Sequence, residues 1–422
     1  MSVATPVGSR PMAPPPPPSS SRRSRVWLYL LVLLVSLSAV RVVSGAGDIT
    51  SAGLLRAALI SAVPIALVGL GGLWSERAGV VNIGLEGMMI LGTLGAGYYT
   101  YHWGFWAGLV GAMAFGAIGG VLHALATVVF GVDHIVSGVA INIMAAGVAG
   151  FLAESFFAGL PGGGPTQSPS LTEMRPPSIT IPGVSDLAAD VADQRWFLVS
   201  DLAAVVQALT TSMSVFTLLA LAIIAGTGWL LWRTPFGLRL RSTGESPSAA
   251  ETLGVNVYRY KFIAVIASGA LAGLAGAYLA LIASSGYQNG QTGGRGYIGL
   301  AAMIFGNWRP GGLLTGSLLF GYTDAARLRS GGESIHALLL LIGVALVALA
   351  IWQWYRQGKV SAAVTSGLGV ALLLWYFATD TIPDEFTQMA PPVMTLLVLA
   401  LFAQRLRMPA ADGLRYRRGS AG

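Results

Sequence analysis

Ten long apolar runs follow one another along the chain, and they constrain the fold more than any other feature of the sequence. The runs lie at 26–45, 54–74, 82–101, 105–130, 134–157, 212–232, 260–283, 334–355, 360–379 and 388–404. A helix needs about 20 apolar residues to cross the hydrocarbon core of a bilayer. Only 10% of the 422 residues are charged, whereas soluble domains carry about 25%. The sequence therefore predicts an all-α polytopic membrane protein with about ten transmembrane helices.

The charged residues indicate which helix ends face the cytoplasm, because short cytoplasmic loops are enriched in Lys and Arg. The Pro/Ser/Arg-rich residues 1–25 have too little apolar surface to fold and are expected to be a disordered cytoplasmic tail. The arginine-rich loop 233–259 and the basic tail 405–422 are also predicted to be cytoplasmic. The acidic loop 158–211 is predicted to be extracytoplasmic. The transmembrane domain then extends over 26–404, with both termini on the cytoplasmic side.

Two shorter apolar pieces, 297–307 and 311–325, flank the sequence GNWRPGG, which contains Gly306, Trp308 and Arg309. If this whole stretch crossed the membrane once, the basic C-terminal tail would lie outside. A re-entrant helix pair, which enters from the outside and returns there, keeps that tail cytoplasmic. At about 1.5 Å per residue, the first piece spans only half of the hydrocarbon core. The turn arginine either faces a water-filled cavity or ties the turn to neighbouring carbonyls. Two arginines then lie outside, against the charge rule: Arg327 and Arg329.

Three polar side chains inside the predicted spans are candidate site residues: Asn82, Glu86 and Asn142. A charged group at the bilayer centre costs roughly 2.5–3.5 kcal/mol even on lenient scales, so an intramembrane polar group suggests a functional site. Asn82 and Glu86 are four residues apart and share one helical face. We expect all three to line a substrate pathway. Structural explanations stay open, because Glu86 can neutralise Arg77 or cap a half-helix, and Asn142 can bond between helices.

Several classes of chemistry lack their characteristic residues in this chain. It has no cysteine, its four histidines are scattered without metal-ligand spacing, and it contains no G-x-x-x-x-G-K-[ST] sequence to bind ATP. We therefore predict no cofactor, no metal and no ATP hydrolysis by this chain. The net charge of +7 does not indicate nucleic acid, because the arginines lie in short segments beside apolar runs. An intramembrane enzyme is disfavoured, since no pair of acids or Ser–His set lies at one depth.

The loop 233–259 differs from its apolar surroundings and reads RTPFGLRLRSTGESPSAAETLGVNVYR. Ser246 or Ser248 can serve as the N-cap of a short helix. Glu251 falls early in that helix, and Gly254 follows its expected C-terminus. A short amphipathic helix between two spans would let a membrane domain receive force from a soluble partner. Taken alone, the loop fits an ordinary solvated connection better.

Five stretches spread over most of the chain carry a family likeness. They are SERAGVVNIGLEGMMILG (75–92), HIVSGVAINIMAAG (134–147), FGLRLRSTGESPSAAETLGVNV (236–257), GRGYIGLAAMIFGNWRPGG (294–312) and APPVMTLLVLAL (390–401). Together they resemble the permeases of ABC importers for nucleosides, simple sugars and branched-chain amino acids. The likeness is greatest to nucleoside permeases that work with basic-membrane-protein-type binding lipoproteins.

This resemblance implies that the loop forms a coupling helix, which docks into a groove of a separate ATPase subunit. Many such importers carry Glu-Ala-Ala, three further residues and Gly at this place. Four residues occupy the corresponding positions here: Ser248, Ala249, Ala250 and Gly254. Serine replaces the usual acid, while Glu251 lies three residues later. The salt-bridge partner in the ATPase is therefore an open question.

The resemblance also implies the rest of a transport system. An ATPase subunit supplies energy, an extracytoplasmic solute-binding lipoprotein delivers the solute, and a second permease subunit, identical or homologous, completes a pore in the lipid of the cell membrane. Nucleosides are the expected solute and simple sugars the alternative, with weak pathway contacts from Asn82, Glu86 and Asn142. An ion-coupled secondary transporter with Glu86 as its proton site is the competing hypothesis. Two features depart from the family, an extra helix pair at 334–379 and the Pro-rich tail.

Overall fold

The computed structural model describes residues 21–356, 358–387, 389, 393 and 406–419. Most of the predicted N-terminal tail and nearly all of the last predicted span, 388–404, lie outside the described residues. Within them the chain is almost entirely helical, as predicted, and its strands form one antiparallel pair. In that pair, β1 (Ser178–Ile179) lies beside β2 (Met213–Ser214).

The helices of the described residues alternate between long apolar segments and short connecting ones. They are α1 (Ser21–Ser44), α2 (Ala52–Arg77), α3 (Leu85–Trp103), α4 (Phe105–Ala124), α5 (His134–Phe157), α6 (Val184–Asp193), α7 (Val199–Thr210), α8 (Val215–Arg233), α9 (Pro235–Glu245), α10 (Pro247–Thr252), α11 (Val257–Tyr278), α12 (Arg295–Phe305), α13 (Pro310–Arg356), α14 (Lys359–Ala378) and α15 (Asp384–Thr387). A turn of π-helix extends two of them, Leu125–Val129 after α4 and Leu279–Ala283 after α11. Short 3-10 turns lie at Gly47–Thr50 and Thr172–Met174.

Seven helices of the described residues are long and apolar enough to cross a membrane. They are Ala52–Arg77, Phe105–Val129, His134–Phe157, Val215–Arg233, Val257–Ala283, Gly331–Tyr355 and Lys359–Ala378. Each coincides with a predicted span. Of the other three predicted spans, 26–45 lies in helix α1, 82–101 becomes helical only at Leu85, and nearly all of 388–404 falls outside the described residues. The all-α polytopic architecture is thereby confirmed.

The centre of the bundle is formed by α2 and α11, whose apolar spans are 67% and 78% buried. α2 packs against α11, α12 and α13, and α11 also packs against α3 and α4. Two backbones approach closely at Gly92 and Gly273, where a Cβ on the first glycine would collide with the backbone of the second. Small residues supply this packing because lipid gives helices no hydrophobic reason to associate.

Contacts between loops identify the two ends of the bundle. At one end, Arg77 finishes α2, pairs with Glu245 of α9 at 3.5 Å and donates two hydrogen bonds to the Trp308 carbonyl in the α12–α13 turn. This end is named the α9–α10 end. At the opposite end, Tyr322 of α13 donates to the Ile49 carbonyl at 2.6 Å. The α12–α13 turn therefore lies on the same side as the loop between α8 and α11.

The predicted pair around GNWRPGG forms a hairpin with arms of unequal length. α12 has 11 residues, a length of about 16 Å, and descends from inside the bundle to the α9–α10 end. α13 then returns along α2, so that Leu313 lies beside Gly69 and Gly321 beside Ala62. This second arm passes the predicted residue 325 and reaches a kink at Gly331, where φ is 53°. The pair returns to the side from which it came, and only its first arm is short.

The extra helix pair predicted at 334–379 consists of the part of α13 after the kink, Gly331–Tyr355, and α14. His336 of the former stacks on Tyr376 of the latter, with ring centroids 4.5 Å apart. The part of α13 after the kink packs on α1 and on the first turns of α2. In contrast, the apolar span of α14 is only 11% buried. α14 is therefore a peripheral helix that faces lipid. Its status as an insertion relative to the family stays a prediction.

Candidate functional site

Two helices begin inside the bundle rather than at its ends, α3 at Leu85 and α12 at Arg295. A helix start leaves backbone N–H groups without partners, and the membrane interior holds no water to satisfy them. The Glu86 carboxylate meets this need, since it accepts hydrogen bonds from the N–H groups of Gly294 at 3.0 Å and Gly296 at 2.6 Å. Its charge also complements the positive end of α12. Glu86 therefore caps the half-helix, one of the structural roles considered for it.

Asn142 of α5 joins the two helix starts. Its side-chain oxygen accepts a hydrogen bond from the N–H of Gly87 at 2.7 Å. Its side-chain nitrogen donates to the Ile83 carbonyl and to the Tyr297 hydroxyl, both at 3.0 Å. These bonds satisfy backbone groups next to the start of α3 and hold the first turn of α12. The amide therefore fixes α3, α5 and α12 relative to one another, and it remains half-buried at the edge of the site.

Asn82 is fully buried in the segment between α2 and α3. Its side chain donates to Ser268 Oγ of α11 at 2.9 Å and accepts from the N–H of Gly84 at 3.0 Å. Glu86 is 7% exposed, so Asn142 alone of the three candidates lies near an open surface. The structure thus brings the three residues to one break in the bundle. Their contact with a solute stays a prediction, and the full burial of Asn82 leaves it no exposed surface for such a contact.

Tyr297, which is not among the residues predicted from the sequence, presents an open ring beside Asn142. It is 47% exposed, and its hydroxyl is held by the Asn142 amide. The non-helical segment before α12 leads from the opposite end of the bundle to this ring. Its exposed residues include Gln288, Asn289, Gly290 and Gly293. The first two adjoin the loop 158–211, since Asn289 donates its N–H to the Thr166 carbonyl at 2.8 Å. These four residues and Tyr297, here named the polar strip, lead from that loop to the start of α12 inside the bundle and are a candidate pathway wall.

An ionic cluster links α12 to α13. Asp324 accepts from Arg295 at 2.8 Å and from Arg327 at 3.0 Å, and all three side chains are largely buried. Charged groups within a membrane domain pair with one another because an unpaired charge there is costly. One of the two arginines that oppose the charge rule is thereby explained, since Arg327 serves an internal acid. Arg329 is exposed and lies against Gly53 of α2. The acid three residues before Arg327 was the sequence signal for this pairing.

The predicted short helix in the loop between α8 and α11 is confirmed as α10. The preceding helix, α9, is capped by the Thr234 hydroxyl, and the start of α10 is set by Ser246 at the N-cap position and Pro247 in the first turn. Gly254 follows the helix with a φ of 81°, a left-handed conformation that glycine adopts without strain. The sequence therefore located both ends of this helix.

The residues predicted to couple α10 to a partner differ in exposure. Ala249 and Gly254 are exposed, and Ser248 is half-buried. Ala250 is only 2% exposed, so it packs the helix onto the bundle instead of facing a partner. Leu253 at the end of α10 is 85% exposed, although it is not among the predicted residues. The sequence signal for Leu253 is an apolar residue in a loop between two spans.

Glu251, the acid of the coupling pattern, is already engaged within the chain. Its carboxylate pairs with Arg418 at 3.4 Å and accepts from the N–H of Gly419 at 3.4 Å. A hydrogen bond from Tyr416 is the main reason that the pKa of Glu251 lies below its ordinary value. Glu251 therefore binds the C-terminal segment in this structure.

The α12–α13 turn is fixed to the end of α2. Trp308 is buried, its ring nitrogen donates to the Glu76 carboxylate, and its carbonyl accepts from Arg77 at 2.9 and 2.7 Å. Gly306 is also buried, and a Cβ there would collide with the first turn of α13. Arg309 is exposed. The hydrogen bond to a turn carbonyl that was considered for Arg309 is made by Arg77 instead.

Comparison with known proteins places this geometry in context. The chain matches the family model described as branched-chain amino acid transport system / permease component over residues 54–350. It is 32% identical to the guanosine ABC transporter permease protein NupQ of Bacillus subtilis (strain 168), over 87% of this chain and 97% of that protein. It is 33% identical to the nucleoside ABC transporter permease protein NupC of Lactococcus lactis subsp. cremoris (strain MG1363), over 85% of this chain and 94% of that protein.

A third relative has a different solute in its name. The chain is 35% identical to TsgC13, a Haloferax volcanii protein whose name proposes a glucose ABC transporter permease, over 68% of this chain and 80% of that protein. No solved structure matches the chain significantly.

Proposed function

Because the chain belongs to the family of branched-chain amino acid transport system permease components, we propose that it is the membrane-spanning subunit of an ABC importer for nucleosides. Two relatives that align with most of the chain carry guanosine and nucleoside in their names. The glucose-named relative makes a simple sugar the alternative solute. ATP hydrolysis then belongs to a separate ATPase subunit, and this chain acts by translocation.

The observation that carries this proposal is a continuous path of contacts from α10 to the helix breaks. α10 follows α9, whose Glu245 pairs with Arg77 at 3.5 Å. Arg77 holds the Trp308 carbonyl, and α12 runs from that turn to the Glu86 carboxylate that caps it. A displacement of α10 by an ATPase is thereby passed to both helix breaks. The elements that move in this way are the ones that bear the polar strip.

The polar strip suits a small, neutral, polar solute. Its exposed side chains are amides and one phenol, and the nearby Arg295 is already paired with Asp324. Stacking of a nucleobase on an aromatic ring contributes about 1–3 kcal/mol, and Tyr297 offers an open ring for it. A solute held by so few groups also leaves readily, as transport requires. These features favour a nucleoside over a simple sugar.

We place the α9–α10 end in the cytoplasm. Exposed arginines concentrate there: Arg233, Arg239, Arg259, Arg407, Arg415 and Arg418. Positive charge of this kind marks the cytoplasmic side of membrane proteins. Both termini of this cell-membrane protein are then cytoplasmic, and the segment 158–211 faces outward, where a binding lipoprotein delivers the solute. A second permease subunit covers the polar strip, which is open on one side in the single chain.

The ion-coupled alternative requires Glu86 to bind and release a proton. Two N–H groups at the start of α12 donate to its carboxylate, so the side chain is engaged as a helix cap. The geometry therefore favours a fixed carboxylate, and ATP dependence separates the two hypotheses.

Uptake into proteoliposomes that hold the full importer tests the proposal. Gly254→Trp forces a bulky residue into a left-handed conformation, although the surrounding space is open, and should shift the end of α10. We expect ATP-driven nucleoside uptake to fall to background while membrane insertion is unchanged. Gly358→Trp is the matched control, because this glycine also has a positive φ and open surroundings but lies in the α13–α14 turn.

Two outcomes would contradict the proposal. Uptake unchanged by Gly254→Trp would show that α10 is not the coupling element, and uptake driven by an ion gradient without ATP would favour the secondary transporter. Competition by unlabelled nucleosides and pentoses then identifies the solute class. Competition by pentoses alone would replace nucleoside with sugar.

A further inference from the structure

The C-terminal segment 406–419 lies across the α9–α10 end of the bundle. The N–H of Arg407 donates to the Asn307 side chain in the α12–α13 turn at 2.8 Å. The N–H of Ala411 donates to the Gly244 carbonyl of α9, also at 2.8 Å. The segment is therefore bonded to both elements that connect α10 with the pathway.

Asp412 anchors this segment in the bundle. Its side chain is 7% exposed and lies near Glu76 of α2 and Lys261 of α11. Burial, followed by the neighbouring Glu76 carboxyl, raises the pKa of Asp412 far above its ordinary value. A neutral carboxyl is cheaper to bury than a charged one. Asp412 is thus the buried point of a segment whose backbone is held by the hydrogen bonds of Arg407 and Ala411.

The far end of the segment adjoins α10. Arg418 pairs with Glu251 of α10 at 3.4 Å, and the N–H of Gly419 donates to the same carboxylate. The Tyr416 ring packs on Tyr258 in the first turn of α11, with centroids 5.3 Å apart. α10, the start of α11 and the C-terminal segment therefore form one continuous surface.

This surface combines apolar side chains with positive charge. Leu253 is 85% exposed and Leu414 is 60% exposed, and Arg415 and Arg418 are exposed beside them. Two acids at the same end are already paired, Glu245 with Arg77 and Glu251 with Arg418. A third, Asp133, accepts from the N–H groups of Ile135 and Val136 at the start of α5. A partner for this surface needs apolar pockets and negative charge around them.

We propose that α10 and residues 406–419 form one composite docking surface for the ATPase subunit. The partner then presents an apolar groove with an acidic rim, which matches the exposed leucines and the surrounding arginines. This inference rests on the proposed function, because it takes the ATPase as the occupant. Protein interfaces combine an apolar centre with a polar rim, and complementary charge increases the rate and specificity of association.

Binding of the purified ATPase subunit to the full-length permease in detergent tests the composite surface. The double variant Leu414→Asp with Arg415→Glu alters the C-terminal segment, and Leu253→Asp alters α10. We expect each to weaken binding at least about tenfold, because a carboxylate would enter an apolar groove with an acidic rim. Lys359→Glu, a charge reversal at an exposed cation of the α13–α14 turn, is the control and should bind like the wild type.

The variants separate this inference from the proposed function. If the double variant binds like the wild type while Leu253→Asp does not, the composite surface is overturned and the proposed function stands. If Leu253→Asp also binds like the wild type, α10 is not the docking element and both fall.

A labelling experiment covers the case in which a charged variant fails to fold. The chain has no cysteine, so Leu414→Cys introduces a single thiol at an exposed position. Bound ATPase should slow its reaction with a maleimide at least about tenfold, as expected for a site inside an interface. Lys359→Cys should react at the same rate with and without the ATPase. Equal rates at both positions would overturn the inference.

Discussion

α12 and α14 belong to the same membrane domain, yet the first backbone N–H groups of each helix are satisfied differently. α14 begins at Lys359 at the α9–α10 end, where water can reach its first N–H groups, and no side chain caps it. α12 begins inside the bundle, and the Glu86 carboxylate takes the place of water. A helix start within a membrane is thus possible only with a dedicated partner.

The two helices also differ in what their side chains touch. α14 exposes large apolar side chains to lipid: Val360, Val364, Leu368, Leu374 and Phe377. α12 keeps Gly296 and Gly299 against neighbouring backbones. Lipid adapts to any apolar surface, whereas a packed backbone accepts one shape. An irregular helix start inside a membrane domain thus needs both a capping group and close backbone packing, and the site proposed above has both.

The largest effect should come from Glu86→Ala. This change leaves two buried N–H groups without acceptors, at about 1–3 kcal/mol each. We expect nucleoside uptake to be lost and the thermal unfolding midpoint in detergent to fall by several degrees. Glu86→Gln keeps one acceptor oxygen and should be intermediate.

Ser361→Ala is the corresponding control in α14. It removes a hydrogen bond from Ser361 Oγ to the Gly358 carbonyl at an exposed helix start. We expect no change in uptake or in the unfolding midpoint. Equal losses of uptake and of the unfolding midpoint in Glu86→Ala and Ser361→Ala would contradict this account. They would show that a helix start inside the bundle needs its partner no more than an exposed one does.

Asn142→Ala should have the next largest effect. It removes an acceptor for Gly87 and a donor for Ile83 and Tyr297, but no charged hydrogen bond. We expect a loss of about 1–3 kcal/mol in the free energy of unfolding and reduced uptake. Ile143→Ala, at the next residue of α5 and 72% exposed, should leave both nearly unchanged. A larger loss in Ile143→Ala would place the packed face of α5 elsewhere.

Variants of Tyr297 test whether the solute stacks on an aromatic ring at the start of α12. Tyr297→Phe keeps the ring and loses only the bond to Asn142, whereas Tyr297→Ala loses the ring. If a nucleobase stacks there, Tyr297→Ala should weaken the apparent affinity for nucleoside uptake about tenfold, a change of about 1.4 kcal/mol. Tyr297→Phe should retain most of it. Equal uptake by all three forms would exclude stacking on this residue.

The long apolar spans and α10 were predictable because their signals are local. Lipid imposes a run of apolar residues on each span, and Gly254 marks the end of α10 by its own conformation. The re-entrant pair followed from the charge distribution and the short length of its first piece, although α13 continues past residue 325 to Gly331.

The contacts of the site were not predictable, because they join distant parts of the chain. Glu86 caps the start of α12 through Gly294, which lies 208 residues away in the sequence. No residue near Glu86 in the sequence predicts that contact. The C-terminal segment resembled a free basic tail for the same reason. In the sequence, Asp412 is one acid among many arginines. Its burial beside Glu76 and Lys261 is visible only in the folded chain.

The smallest effect should come from Val364→Ala in α14. Val364 is 68% exposed to lipid, which fills the space that the lost methyl groups leave, so we expect a change under about 0.5 kcal/mol in stability and unaltered uptake. Val68→Ala makes the same change in α2, where the side chain is fully buried and lies beside Gly299 of α12. A cavity there should cost roughly 1–3 kcal/mol and loosen the half-helix, so uptake should fall. Unfolding midpoints of the two variants, measured side by side in detergent, check the difference. An equal loss at Val364 would mean that a protein surface, not lipid, covers α14 in the assembled importer.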